Sequence, residues 1–333
     1  MRDTHDNSPT RTVAILTCMA AVQPPDAFRP SYGDPGGRVY LSRNLQRDHL
    51  LKLAPVDNLP SWKVWLRVYE RPWFNPCFFG WEQPMENMPH YGQWVAQANS
   101  MAGLLLQLNI EPEQKEALLV RVVQVGIDYW GLIRRGHPGW QGWGGHGSGR
   151  KFPIVFAGLM LADEVMASPG KAFPKAEFGE DNQTMYGTGW TGATALFAGH
   201  SGIQSASGRV ERERWGPYEH LPPSKWTQGN YNSESYRRAN TSSSWVGQAL
   251  VLRLMKAERV WGHDAFFDYV DRWMTENDAP HRREIQKTWR DASLGDSNKW
   301  SHQGNTWEPF VRSMWLAYRG PIVPLQSPPR SAP

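Results

Sequence analysis

Between Tyr91 and Asn109 the apolar residues Val95, Ala98, Met101, Ala102, Leu105 and Leu108 fall at steps of three and four, which predicts one buried helical face. Glu111-Pro112-Glu113 then opens a second helix, with proline in the first turn and acids beside the positive end of the dipole. It runs through Leu118, Leu119, Val122, Val125, Ile127 and Ile133 to about Arg135, where Gly136 supplies the stop. A third helix, Pro153 to Val165, is apolar on nearly every side and is expected deep in the core. Further helices are predicted over Ser242 to Val260, over Asp264 to Thr275, where Phe266, Phe267, Tyr269, Val270 and Trp273 form an aromatic face, and around Trp307 to Tyr318. Period-two strands are scarce, and Ser201 to Asn230 reads as a long loop. The expected class is all-α: an (α/α) toroid of helical hairpins whose long Gly- and Trp-rich loops gather into a cleft. One catalytic domain over 11–325 is expected, between a disordered tail (1–10) and a flexible C-terminal tail (326–333), with a division near the long loop left open.

Composition narrows the chemistry. Two cysteines in 333 residues exclude a disulfide framework, and mean hydropathy is −0.59. The longest apolar run, Val13 to Val22, is interrupted by Thr17 and Cys18 and falls well short of the roughly 20 residues of a membrane span. Asp3 and Asp6 also spoil it as a secretory leader. Eighteen tryptophans accompany 36 basic and 32 acidic residues, a net charge of +4. Many of the tryptophans (Trp62, Trp73, Trp81, Trp140, Trp143, Trp190, Trp215, Trp226, Trp300, Trp307) lie within two residues of Gly, Pro, Asn or Gln and read as loop residues rather than core. Flat rings on a mildly basic surface suit a ring-shaped, anionic ligand such as an acidic polysaccharide. The scattered basic residues lack a nucleic-acid motif, and neither nucleic acid nor membrane is expected as a partner.

Three polar segments, each read as a loop, carry the candidate chemistry. Glu86 to Gly92 places Asn87, His90 and Tyr91 directly before a helix, with Asn87 either a capping residue or an amide donor to a carboxylate. Gly142 to Lys151 surrounds His146 with glycines and ends in Arg150 and Lys151, a loop that lets backbone approach an anion, although its spacing is not that of a phosphate-binding loop. Asn230 to Ser242 joins Glu234, Tyr236, Arg237 and Arg238 with almost no apolar residue. A cation beside Tyr236 would make its phenol usable as a base and then as an acid. Two softer clusters hold Gln183 and Tyr186, and Arg212 with Tyr218. The set fits β-elimination on a uronate polymer: donors neutralise the carboxylate, a base removes H5, and an acid protonates the oxygen leaving C4. Asn87, Arg150 or Arg237 could neutralise, and Tyr236 or, in reserve, Tyr218 could serve as base and acid, with His146 assisting or acting on the opposite epimer. Arg150, Lys151, Trp143, Tyr91, His90, Gln183, Tyr186, Glu234, Arg238 and Arg212 are assigned to substrate binding.

Asn-Met-Pro-x-Tyr-Gly at 87–92, Gln-x-Gly-Ile-Asp-x-x-Gly at 124–131, Gly-Gly-His-x-Ser-Gly-Arg-Lys at 144–151 and Ser-Glu-x-Tyr-Arg-Arg at 233–238 resemble the (α/α)-toroid polysaccharide lyases that act on alginate or glucuronan, and most closely polysaccharide lyase family 38. The resemblance covers roughly residues 85 to 275. It implies an asparagine neutraliser, a histidine and a tyrosine as the working set, hence Asn87, His146 and one of the tyrosines, with no organic cofactor. A polymeric substrate would place the protein in a secreted or periplasmic setting. No metal is expected, because His200, His220 and His263 lack the spacing of metal ligands. Two other readings stand beside the lyase. An inverting (α/α) glycoside hydrolase would need paired carboxylates, for which Asp128, Glu180 and Asp181 are candidates. A non-catalytic polysaccharide-binding protein would need only the tryptophan platforms.

Overall fold

A computed structural model of the chain describes residues 16–73, 91–202, 215–291, 294 and 302–320. The elements run in the order α1 (Trp62–Val68), α2 (Gly92–Leu105), α3 (Pro112–Arg134), β1 (Gly139–Trp140), α4 (Lys151–Met160), α5 (Glu164–Ala167), α6 (Pro169–Ala172), β2 (Glu177–Phe178), α7 (Gly179–Asn182), β3 (Thr184–Tyr186), β4 (Ala195–Phe197), α8 (Gln228–Tyr236), a π-helical turn (Arg237–Thr241), α9 (Ser242–Leu254), α10 (Glu258–Trp261), α11 (Asp264–Thr275), α12 (Ala279–Trp289) and α13 (Pro309–Tyr318). Among the described residues helix accounts for 53% and strand for 5%, so the fold is mainly helical. No helix among the described residues is long and apolar enough to cross a membrane.

The centre is made by two closely packed helix pairs, α2 with α9 and α3 with α4. Small residues set the spacing. A Cβ on Gly126 of α3 would come within 2.1 Å of the Pro153 carbonyl oxygen, so only glycine lets α3 and α4 approach this far. All of α4 is buried except Leu159, as its continuous apolarity requires. Trp73, Trp140, Trp245, Trp261 and Trp273 are fully enclosed in the surrounding core. That corrects part of the expectation for tryptophan: Trp73, Trp140 and Trp226, read as loop residues, are buried, and Trp73 and Trp226 donate their indole N–H to the Val68 and Leu221 carbonyls at 2.8 Å.

The predicted boundaries shift where local hydrogen bonding competes with apolar pattern. The helix expected over Pro153 to Val165 stops at Met160, because Asp163 caps a new short helix by accepting from the Met166 N–H at 3.0 Å. The one expected over Ser242 to Val260 stops at Leu254. There Lys256 adopts φ +54°, and the Ala257 N–H closes back on the Leu252 carbonyl at 2.8 Å, a helix-terminating wrap. Asn230 to Ser242, expected as a polar loop, is instead helical throughout as α8, the π turn and the start of α9. Two short strand pairs were not foreseen. β1 lies parallel to β2, with Gly139 opposite Glu177, and β3 antiparallel to β4, with Thr184 opposite Phe197.

Candidate functional site

Two distant segments meet at a pair of phenols. Tyr91, the residue before α2, and Tyr236, the last residue of α8, bring their hydroxyls to 2.5 Å from each other. The Gly-rich loop 142–149 lies against both rings. The Gly145 N–H donates to the Tyr91 hydroxyl at 3.2 Å, and in the phenol pair either hydroxyl can be the donor. A Cβ on Gly144, whose φ is +65°, would sit 2.5 Å from a Tyr236 ring carbon and 2.7 Å from a His200 ring carbon. Glycine is therefore what allows the loop to close over this tyrosine. Trp143, with φ +41°, is held in a backbone region that bulky side chains rarely adopt, a form of strain that collects at functional loops.

Histidine flanks each phenol. His146 packs edge-on to Tyr91 with ring centres 4.9 Å apart, and His200 packs edge-on to Tyr236 at 4.8 Å. Burial pushes the His146 imidazole down to about 4, helped by the nearby Arg150 and His200; burial alone takes His200 to about 4. Both rings are consequently neutral near pH 7. The His200 Nδ1 is buried without a hydrogen-bond partner among the described residues, and its ring lies between Tyr236, Trp143 (6.0 Å) and Trp215 (5.3 Å). The His200 backbone is fixed as well: its carbonyl accepts from the Gly144 N–H at 2.9 Å and from Gln183 at 3.1 Å, and its N–H donates to Ser233 at 3.2 Å. Burial also raises Tyr91 above the ordinary phenol range, and the neighbouring Tyr236 adds to it.

The loop is held from beneath by residues that the sequence assigned to substrate and by Glu180, a candidate acid of the hydrolase alternative. Arg150 is buried and donates to the His146 carbonyl and, at 2.8 Å, to the Ser148 carbonyl. Gln183 supports the His200 segment. Glu180 accepts the Gly149 N–H at 2.6 Å, and burial lifts its carboxyl to about 7. Lys151 is buried too, bonded to Asp181 and to the Trp261 carbonyl, away from the phenols' hydrogen bonds.

Other expected site residues are committed elsewhere. Tyr218, the reserve base, is fully enclosed and donates to Glu234 at 2.6 Å; burial, then the Glu234 charge, drives its phenol well up, so it is a structural donor. Arg237 binds Glu234 at 2.6 Å and Tyr269 at 2.9 Å and reaches Glu219 at 3.2 Å. Arg238 binds Glu234 at 2.6 Å and grips Asp278 with two bonds at 2.6 and 2.8 Å. Neither arginine faces solvent, so the expectation of Arg237 as a carboxylate neutraliser is replaced by a buried ion network centred on Glu234. Tyr186 is half-exposed and bonds Asp268 at 2.5 Å, well outside the cluster's hydrogen bonds. Asn87, His90 and Arg212 lie outside the described residues, as do Trp81 and Trp300 and the two terminal tails.

His200 is the residue that the sequence did not single out. It is isolated in the chain, and its one local signal is the Gly199-His200-Ser201-Gly202 setting, which resembles the setting of His146. Among the described residues no group of three or more His, Cys, Asp or Glu side chains is placed to hold a metal ion. Comparison of the chain with protein families, with curated proteins and with solved structures gives no match. The functional reading therefore rests on this geometry.

Proposed function

We propose that the protein is a polysaccharide lyase that cleaves a 1,4-linked uronate polymer, glucuronan or mannuronate-rich alginate, by β-elimination at the Tyr91–Tyr236 pair, on a toroid-like arrangement of its helical hairpins. The observation that carries the reading is the 2.5 Å contact between the two hydroxyls with a neutral histidine on each ring. As a phenolate, Tyr236 takes H5 from the sugar. The C5–H electrons form the C4=C5 bond, the C4–O bond breaks, and the same tyrosine returns its proton to the leaving oxygen. One residue can do both because H5 and O4 share a face in D-glucuronate and D-mannuronate. Tyr91, already accepting from Gly145, donates to the Tyr236 oxygen whenever it carries charge. His146 and His200 are neutral and can each accept or donate a hydrogen bond without adding net charge beside the sugar carboxylate. Asn87, four residues before Tyr91, is the residue proposed to neutralise that carboxylate.

The hydrolase alternative is weakened by the company its acids keep. Asp128 is buried against Arg29 at 2.5 Å, Glu180 holds the Gly149 N–H, and Asp181 pairs with Lys151, so each carboxylate is already tied to a structural partner. Incubation with polymannuronate, polyguluronate and glucuronan, followed by ultraviolet absorbance of a conjugated uronate, tests the reaction class. A rise on one of the first and third polymers that His146→Ala and Tyr236→Phe both suppress is the expected result. Reducing ends released without absorbance would instead indicate hydrolysis.

A further inference from the structure

A cavity of about 440 Å³ opens between the 168–182 segment, which includes α6, β2 and α7, and the end of α10, and none of the phenols or histidines of the candidate site lines it. Buried Lys151 lines it, paired with Asp181 and set 4.3 Å from the centre of the Trp261 ring. Trp261 is 2% exposed, lines the cavity, and its indole N–H meets no acceptor among the described residues. Asp181 Oδ1 is likewise buried there without a donor. Lys171 and Arg259 are exposed lining residues from opposite segments, and neither makes an ion pair within the described residues. Buried polar groups left without partners mark a place where a ligand completes the hydrogen bonding.

The required ligand follows from these groups. It must accept from Trp261 Nε1, donate to Asp181 Oδ1 and bring negative charge to Lys171 and Arg259. Hydroxyl groups meet the first two needs and a single carboxylate the third. A compact dianion would face the carboxylates of Asp181 and Glu177, and a neutral sugar would leave both exposed cations unused. The volume lies within the range of small-molecule sites. We propose that this cavity is a second binding site, separate from the tyrosines, for a small hydroxylated monocarboxylate the size of one hexuronate. The site is wired to the catalytic loop by sequence adjacency on two segments: Arg150 and Glu180 hold the loop, and their neighbours Lys151 and Asp181 line the cavity. The inference stands on its own geometry and does not require the lyase reading.

Calorimetric titration of the full chain with D-glucuronate, D-glucose and inorganic phosphate tests it, using wild type, the Lys171→Ala/Arg259→Ala double variant, Tyr236→Phe and His146→Ala. Glucuronate is expected to bind one such site per chain in the millimolar range. The double variant, altered only at exposed positions, should weaken that event about tenfold, as should replacing glucuronate by glucose or phosphate. Tyr236→Phe and His146→Ala should leave it intact. Absence of glucuronate binding by folded protein, wild-type affinity and stoichiometry in the double variant, loss of the event in Tyr236→Phe, or tighter binding of phosphate would each overturn the assignment.

Discussion

Tyr236 and Arg237 are adjacent in the chain and belong to opposite kinds of polar region. Around Arg237 every charge is matched: Glu234, Glu219 and Asp278 face Arg237, Arg238 and Arg272 through short, mostly doubled bonds, and Tyr218 and Tyr269 add theirs. Burial alone would favour the neutral acid of Glu234, yet Arg237 and Arg238 hold it well below the usual carboxylate range. Around Tyr91 and Tyr236 the ring contacts are with the neutral His146 and His200, edge to face, the nearby Arg150 is bonded to backbone carbonyls, and the His200 Nδ1 is unused among the described residues. A saturated ion network specifies a fold, whereas neutral groups with hydrogen-bonding capacity to spare can accept a substrate. Polar density in a sequence does not tell the two apart; accounting for every donor and acceptor does.

The sharpest way to break the comparison is to attack the network at its centre. Glu234→Ala leaves Arg237 and Arg238 without their shared carboxylate and should cost about 3–5 kcal/mol of stability, read from denaturant unfolding. A loss under 1 kcal/mol would mean that the network is not structural. Tyr236→Phe should do the opposite, keeping stability within about 1 kcal/mol while lowering turnover by roughly 10²–10⁴. Gly144→Ala forces a Cβ into the Tyr236 ring at a positive φ, and we expect turnover to fall about tenfold with about 1 kcal/mol of destabilisation. Unchanged kinetics in that variant would show that the loop does not set the tyrosine's position.

The smallest effects are in pH dependence. His146 and His200 have folded-state values near 4 against an ordinary 6.5, so the stability they contribute is complete above pH 6.5 and is lost as pH falls toward 4. His200→Gln should flatten the fall in Tm across that window. Glu180 runs the other way. Its folded value near 7 lies above the ordinary 4.5, so its contribution is full below pH 4.5 and is lost as pH rises through 7. Glu180→Gln should therefore compare more favourably with wild type at pH 8 than at pH 5, by a few degrees in Tm.

What the sequence made legible follows the same division. Asp264–Thr275 was predicted with its observed bounds, and Pro112–Arg134 to within a residue or two, because apolar period and terminal residues agreed. α8 and the π turn that follows it were not legible, since their buried charges, Glu234, Arg237 and Arg238, are satisfied by one another and by Asp278 and Glu219, partners that no local pattern reveals. The start of α8 did leave a trace: Thr227 and Asn230 form a reciprocal cap, with bonds of 3.0 and 3.2 Å. In the candidate site, His146 and Tyr236 were marked by their glycine and arginine neighbours. The arginines turned out to serve the core, and the tyrosine's contacts are with Tyr91 and His200, brought in by tertiary folding.

The central claim is that Tyr91 and Tyr236 act as one proton-handling unit in β-elimination. Its most direct test is a double-mutant cycle of Tyr91→Phe and Tyr236→Phe, with initial rates of unsaturated-product formation measured on the polymer that wild type cleaves. The account predicts strong non-additivity, the double variant being no slower than Tyr236→Phe alone. Formation of unsaturated product by Tyr236→Phe at the wild-type rate, or two independent, additive losses, would contradict it.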